Sequence, residues 1–263
     1  MKPLCRLLLA LALLLSSPAW ARLDWSALEQ YRAQQRLLYF EAASPALAGT
    51  LLVWPEQDRQ HDWLAMAQYW QQRGWDFILL LPEPAQHSLD PATEQATPAQ
   101  QAWLDRLGER LGQVLADTES APPLLVLTQG SATPWYQQLV EAGRLPPPDA
   151  LVVLDASPAG YARQQMLAMS LARSDYPVLD IYSHPHDPAS RLNRLRRQYQ
   201  ATQREKNDYG QQHLQGHALL ERHITAWLVR LGWLAPPPGA PDYLKGRIHE
   251  TGISRSTDTG AGD

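Results

Sequence analysis

Apolar positions along the chain follow two alternating rhythms. Short continuous runs stand at 37–40, at 49–54 (GTLLVW), at 77–81, at 124–127 (LLVL), at 150–154 and at 178–182. Such runs suit strands buried on both faces of a parallel sheet. Between them the spacing turns helical. It predicts helices over 23–36, 61–73, 101–116, 135–142, 161–172, 188–204 and 218–231. The second of these puts Trp63, Leu64, Ala67 and Trp70 on one face, and the third does the same with Trp103, Leu104, Leu107, Leu111, Val114 and Leu115. Gly74, Gly143 and Gly232 follow three of the helices and read as stops. Residues 85–100, rich in Pro, Thr, Gln and Asp without any period, read as a surface loop. Strands and helices alternating in this way predict an α/β fold, a mainly parallel sheet with helices on both faces. The short link between DALVVLDASP and PVLDIY leaves no room for a large lid domain.

The two ends break this pattern. Lys2 and Arg6 precede the apolar run 7–15, and Ala19-Trp20-Ala21 supplies a small-x-small cleavage site. That layout predicts a signal peptide over 1–21, cut after Ala21, and an exported, periplasmic protein. The run is too short to span a bilayer. Residues 22–235 then form the domain, which ends at Pro236-Pro237-Pro238-Gly239, and the polar tail 236–263 is expected to be disordered. The single cysteine, Cys5, falls inside the export segment, so the mature chain has no thiol chemistry. Loss of Lys2 and Arg6 moves the formal charge from −4 to −6. A mildly acidic chain makes a poor nucleic-acid binder and leaves a small molecule or an envelope component as the expected partner of a monomer. Ten tryptophans beside two phenylalanines point to amphipathic aromatic surface near the rim of the core.

The run 124–127 leads into Thr128-Gln129-Gly130-Ser131-Ala132, with Pro134 suited to the first position of a helix. Strand, tight small-residue turn and helix make the geometry of a nucleophile elbow. An α/β-hydrolase has G-x-S-x-G there, because small residues let a strained backbone hold a serine oxygen above the sheet. Aligned on the strand end, the nucleophile position falls on Gly130 and the serine comes one residue late. In chain order the acid position falls on Asp187, after PVLDIY, and the base position on His217, just before the final helix. The candidate catalytic residues are therefore Ser131, Asp187 and His217. The oxyanion loop reads Trp54-Pro55-Glu56: Pro55 has no N–H, and an inward Glu56 carboxylate would oppose a developing oxyanion.

Several stretches, GTLLVWP, RGWDFILLLPEP, TQGSA, DALVVLDASP, PVLDIY, the Arg196-Arg197 pair and AWLVRLGWL, occur together and in order over residues 35–234. In them the chain resembles a family of bacterial exported proteins of unknown function within the α/β-hydrolase superfamily. The resemblance implies a hydrolase-like fold whose elbow often lacks serine.

Each site residue also has a structural reading. Ser131 could cap the following helix through its hydroxyl. Asp155 is either a second acid or a strand-end turn former. His184, His186 and Asp187, with His213 or His217, could offer zinc ligands, but Pro185 and the lack of a second ligand motif speak against it, and no metal or cofactor is expected. Arg191, Arg194, Arg196, Arg197 and Arg204 are either a face for phosphate or lipopolysaccharide groups or a solvated helix with local pairs. The sequence favours an exported hydrolase-fold protein with a degenerate elbow that binds an envelope component. Its alternative is a periplasmic esterase or acyl hydrolase using Ser131, His217 and Asp187.

Overall fold

The computed structural model describes residues 36–44, 47–56, 63–87, 96–117, 123–158, 160–215, 220–236 and 238–239. The chain divides into two compact units, Met1–Leu38 and Tyr39–Asp263. The segment 1–21 expected to direct export, residues 23–35 of the helix expected over 23–36, His217 and the tail beyond residue 239 lie outside the described residues.

Seven strands form one sheet: β1 (Leu37–Phe40), β2 (Gly49–Trp54), β3 (Trp75–Leu80), β4 (Leu124–Gln129), β5 (Ala150–Leu154), β6 (Val178–Tyr182) and β7 (Tyr209–His213), in the order β1-β3-β2-β4-β5-β6-β7. β2 pairs with β3 and β4, and β4-β5, β5-β6 and β6-β7 follow, all parallel. The helices are α1 (Trp63–Gln71), α2 (Pro98–Asp117), α3 (Ala132–Glu141), α4 (Tyr161–Arg173), α5 (Pro188–Gln203) and α6 (Leu220–Leu231), and they cover both faces of the sheet. Among the described residues no large lid interrupts them. No described helix is long and apolar enough to cross a membrane.

The apolar runs become strands because every side chain in them finds cover. Each residue of β2, β3 and β5 is buried. Full burial of a Leu or Val side chain stabilises by about 1.5–3 kcal/mol, before the entropy of ordering it is counted. Gly49 begins β2 because a Cβ there would lie 2.8 Å from the Pro123 carbonyl oxygen and 2.8 Å from the Trp75 ring. Most of the described tryptophans sit deeper than the rim expected for them. Trp54, Trp103 and Trp135 form a chain of edge-to-face rings at 6.3 and 5.6 Å, and Tyr69, Trp70 and Trp75 form another at 5.5 and 5.4 Å. Trp54, Trp70, Trp75 and Trp135 are at most 1% exposed.

The structure corrects the sequence reading at three places. Within 85–100, read as a surface loop, Pro84–His87 forms a 3-10 turn and α2 begins at Pro98. Gln86 and Gln100 there are buried. The Thr97 N–H donates to Gln100 Oε1 at 3.0 Å and the Gln100 N–H to Thr97 Oγ1 at 3.2 Å, a reciprocal cap that starts α2. Next, β7 was not anticipated. YGQQH has no apolar alternation, because an edge strand half-open to solvent does not require one. Finally, α3 starts at Ala132, so Pro134 lies within its first turn and not at its first residue.

The arginines, expected to act as one group, divide as well. Arg197 belongs to neither a ligand face nor a solvated one, since it is 3% exposed and holds Asp180 of β6 with Nε at 2.8 Å and Nη2 at 3.0 Å. Tyr209 Oη donates to Asp180 at 2.6 Å and Gln211 Nε2 at 2.9 Å. Burial, and then the Asp180 charge, raise the Tyr209 phenol well above its ordinary value. One carboxylate thus ties α5 and β7 to the centre of β6.

Candidate active site

In this topology the chain leaves β2 on one side for β3 and returns to its other side with β4. The carboxyl ends of β2 and β4 therefore flank the switch point where an open α/β sheet places its site. Trp54-Pro55-Glu56 leaves one of these ends and Gln129-Gly130-Ser131 the other.

Gly130 is the apex of the turn, at φ +56°, a left-handed conformation that favours glycine. Its N–H donates to the Leu154 carbonyl at 2.9 Å, which fixes the apex beside β5. The space above it is filled from the neighbouring loop. A Cβ on Gly130 would lie 2.0 Å from Glu56 Oε2, 2.2 Å from its Cδ and 2.6 Å from Oε1. The Ser131 N–H donates to Glu56 Oε1 at 3.1 Å, and the Glu56 N–H donates to Gln129 Oε1 at 3.1 Å. The two backbone donors that face the switch point thus bind groups of the protein itself.

Ser131 directs its oxygen elsewhere. Gln86 Nε2 donates to Ser131 Oγ at 3.1 Å and to the Pro55 carbonyl at 3.3 Å. The Gln86 Oε1 accepts from Trp54 Nε1 at 3.0 Å, and its carbonyl accepts from Trp135 Nε1 at 3.0 Å. Buried Gln86 is thereby the bolt of the site: its side-chain amide joins β2 to the elbow, and its main-chain carbonyl holds Trp135 of α3. Sequence reasoning passed over it, since a glutamine in a Pro- and Gln-rich stretch carries no signal of burial. Ser131 occupies the cap position of α3 but makes no side-chain capping bond, so the capping role expected for its hydroxyl is not found. At the flanking elbow positions, Thr128 Oγ1 donates to Thr133 Oγ1 at 3.0 Å in full burial, and Ala132 is buried.

Asp187 is exposed and accepts the Ser190 N–H at 2.7 Å as the cap of α5. Its loop does follow β6, as expected of an acid. His217 follows β7, the strand from which a base is expected, but lies outside the described residues. Asp155, just after β5, is 8% exposed, has φ +47° and accepts the Ser183 N–H at 2.7 Å together with the Ser183 hydroxyl, so its carboxylate ties the end of β5 to the loop after β6. His184 Nδ1 lies 2.8 Å from Ser183 Oγ and 3.7 Å from Asp155 Oδ2. His213 stacks on Tyr182 at 5.2 Å. Among the described residues no group of three or more His, Cys, Asp or Glu is placed to hold a metal ion.

No curated protein matches the chain. Solved structures similar to it include a lipase/esterase from Lactobacillus plantarum, 11% identical, covering 76% of this chain and 94% of that one at a TM-score of 0.53. Thermogutta terrifontis esterase 2 phosphoramylated by tabun is 10% identical, with 76% and 91% covered and a TM-score of 0.53. A protein from Thermus thermophilus is 13% identical, with 76% and 94% covered and a TM-score of 0.52. At such identities the likeness is one of fold, and the fold is that of the α/β hydrolases. Residues 80–234, more than half of the chain, match the family described as Protein of unknown function (DUF3530), and the protein belongs to that family.

Proposed function

We propose that this protein is an exported, monomeric α/β-hydrolase-fold protein whose elbow has given up serine hydrolysis, and that it binds an envelope component. One observation carries the reading. The Glu56 carboxylate occupies the volume of a nucleophile side chain at Gly130 and takes the Ser131 N–H that would receive an oxyanion. A fixed negative charge at that point opposes the charge that develops in acyl transfer. The Ser131 oxygen is held by Gln86 instead, outside the position that the elbow aims. The esterase and lipase neighbours lend the ancestry of the cleft, and export rests on the charged, apolar and small-x-small layout of residues 1–21.

The test is labelling of the purified protein with a serine-directed phosphonate, beside Ser131→Ala and His217→Ala. The wild type is expected to take no adduct and to turn over a short activated ester no faster than either variant. An adduct on Ser131 that disappears in both variants would overturn the proposal and establish the displaced triad of Ser131, His217 and Asp187. Export is checked by the intact mass of the protein recovered from a periplasmic fraction, which is expected to begin at Arg22.

A further inference from the structure

Six large apolar or aromatic side chains are exposed among the described residues. Five of them, Tyr161, Met166, Leu192, Leu195 and Tyr199, lie on α4 and α5. Contiguous exposed apolar surface marks a place for a partner, where scattered residues do not, and the three on α5 share one face.

On α5, Leu192, Leu195 and Tyr199 are 55, 46 and 61% exposed. Their spacing of three and four residues sets them in one strip, opposite the buried Asn193, Arg197 and Ala201. By the same helical geometry Arg191 borders the strip on one side and Arg196 on the other. Arg196 lies over the Tyr161 ring at 4.4 Å, and this joins the strip to the start of α4. Between Pro188 and Gln203 the helix contains no acidic residue. The chain as a whole carries a formal charge of −4, so this basic, apolar strip is a local feature and not a sample of its average surface.

We propose that this face of α4 and α5 docks on an anionic phospholipid bilayer. Leu192, Leu195 and Tyr199 enter the boundary between headgroups and acyl chains, and Arg191 and Arg196 meet lipid phosphates. An apolar strip bordered by arginines is the pattern of a helix lying in a membrane surface. The guanidinium groups complement phosphate oxygens, and their stems can follow apolar surface while the charges stay in the headgroup layer. The strip is about 10 Å long by helical rise. That suits shallow insertion and falls well short of the area a stable protein interface buries. The inference is independent of what the cleft binds.

Flotation of the purified protein with phosphatidylglycerol/phosphatidylcholine vesicles, against phosphatidylcholine alone, tests it. The protein is expected to float with the anionic vesicles only, and less so as salt is raised. Leu192→Ser with Leu195→Ser should lower the bound fraction by roughly tenfold or more. Arg191→Gln, at an exposed position, should weaken binding and its salt dependence while the far-UV circular dichroism stays unchanged. Flotation that ignores lipid charge or these substitutions, or no flotation at all, would overturn the proposal. So would light scattering that reveals a dimer dissolved by the leucine substitutions, which would assign the face to a second copy.

Discussion

Gly130 and Glu56 act as one unit, because the carboxylate stands where any side chain at Gly130 would begin. Gly130→Ala brings two penalties together. Its Cβ must displace the end of the Glu56 side chain from the Ser131 N–H, and its backbone must hold φ +56°. A left-handed non-glycine residue costs about 1–2 kcal/mol, and with the displaced carboxylate added Gly130→Ala is expected to destabilise the protein by more than that amount in urea unfolding. Glu56→Ala removes the collision but not the backbone strain. The double variant should therefore be less destabilised than the sum of the two singles, a coupling that a double-mutant cycle measures directly. Strict additivity would mean that the carboxylate is not seated over the apex. The glycine at the elbow and the acid in the oxyanion loop were both legible in the sequence. Their contact was not, because they are far apart in the chain and meet only once β2 and β4 pair.

Among the elements, the sheet edge depends on a charge buried in its interior. Asp180 is fully buried, and its partners come from α5 and β7. Removing one member of such a pair leaves the other charge uncompensated, at a cost of about 3–5 kcal/mol. Arg197→Met is expected to lose stability of that order in urea unfolding. Pairing it with Asp180→Val should recover part of the loss. A loss near zero for the single change would mean that water reaches the pair. PVLDIY and the Arg196-Arg197 pair were visible as sequence features, yet nothing in them separated Arg197 from its exposed neighbours. Four arginines in seven residues look alike until packing places one of them under the helix. β7 stayed hidden for a related reason, since its polar residues Tyr209 and Gln211 belong to the Asp180 network and mask any strand alternation.

For the whole molecule, the buried phenols set a limit on the alkaline side. Tyr136 and Tyr176 are raised mainly by burial, and Tyr209 by burial and by the Asp180 charge. In the unfolded chain each titrates near about 10. Above that pH the unfolded state gives up protons that the folded state keeps, so stability is fully present below about pH 10 and falls as pH rises further. Urea midpoints measured across alkaline pH are expected to drop above that point. Tyr209→Phe should make the drop shallower, whatever it does to stability at neutral pH. An unchanged slope in that variant would show that Tyr209 loses its proton as readily when folded as when unfolded.

By itself the sequence determined the α/β class, the strands from β1 to β6, most of the helices and the place of the elbow. Those features rest on local periodicity, which is written in neighbouring residues. The tertiary structure decided what fills the elbow, which arginine is buried, and that Gln86 links Trp54, Ser131 and Trp135. These are polar contacts between distant segments. A buried glutamine or arginine has the same composition as an exposed one, and only the packed fold removes the water that would otherwise satisfy it.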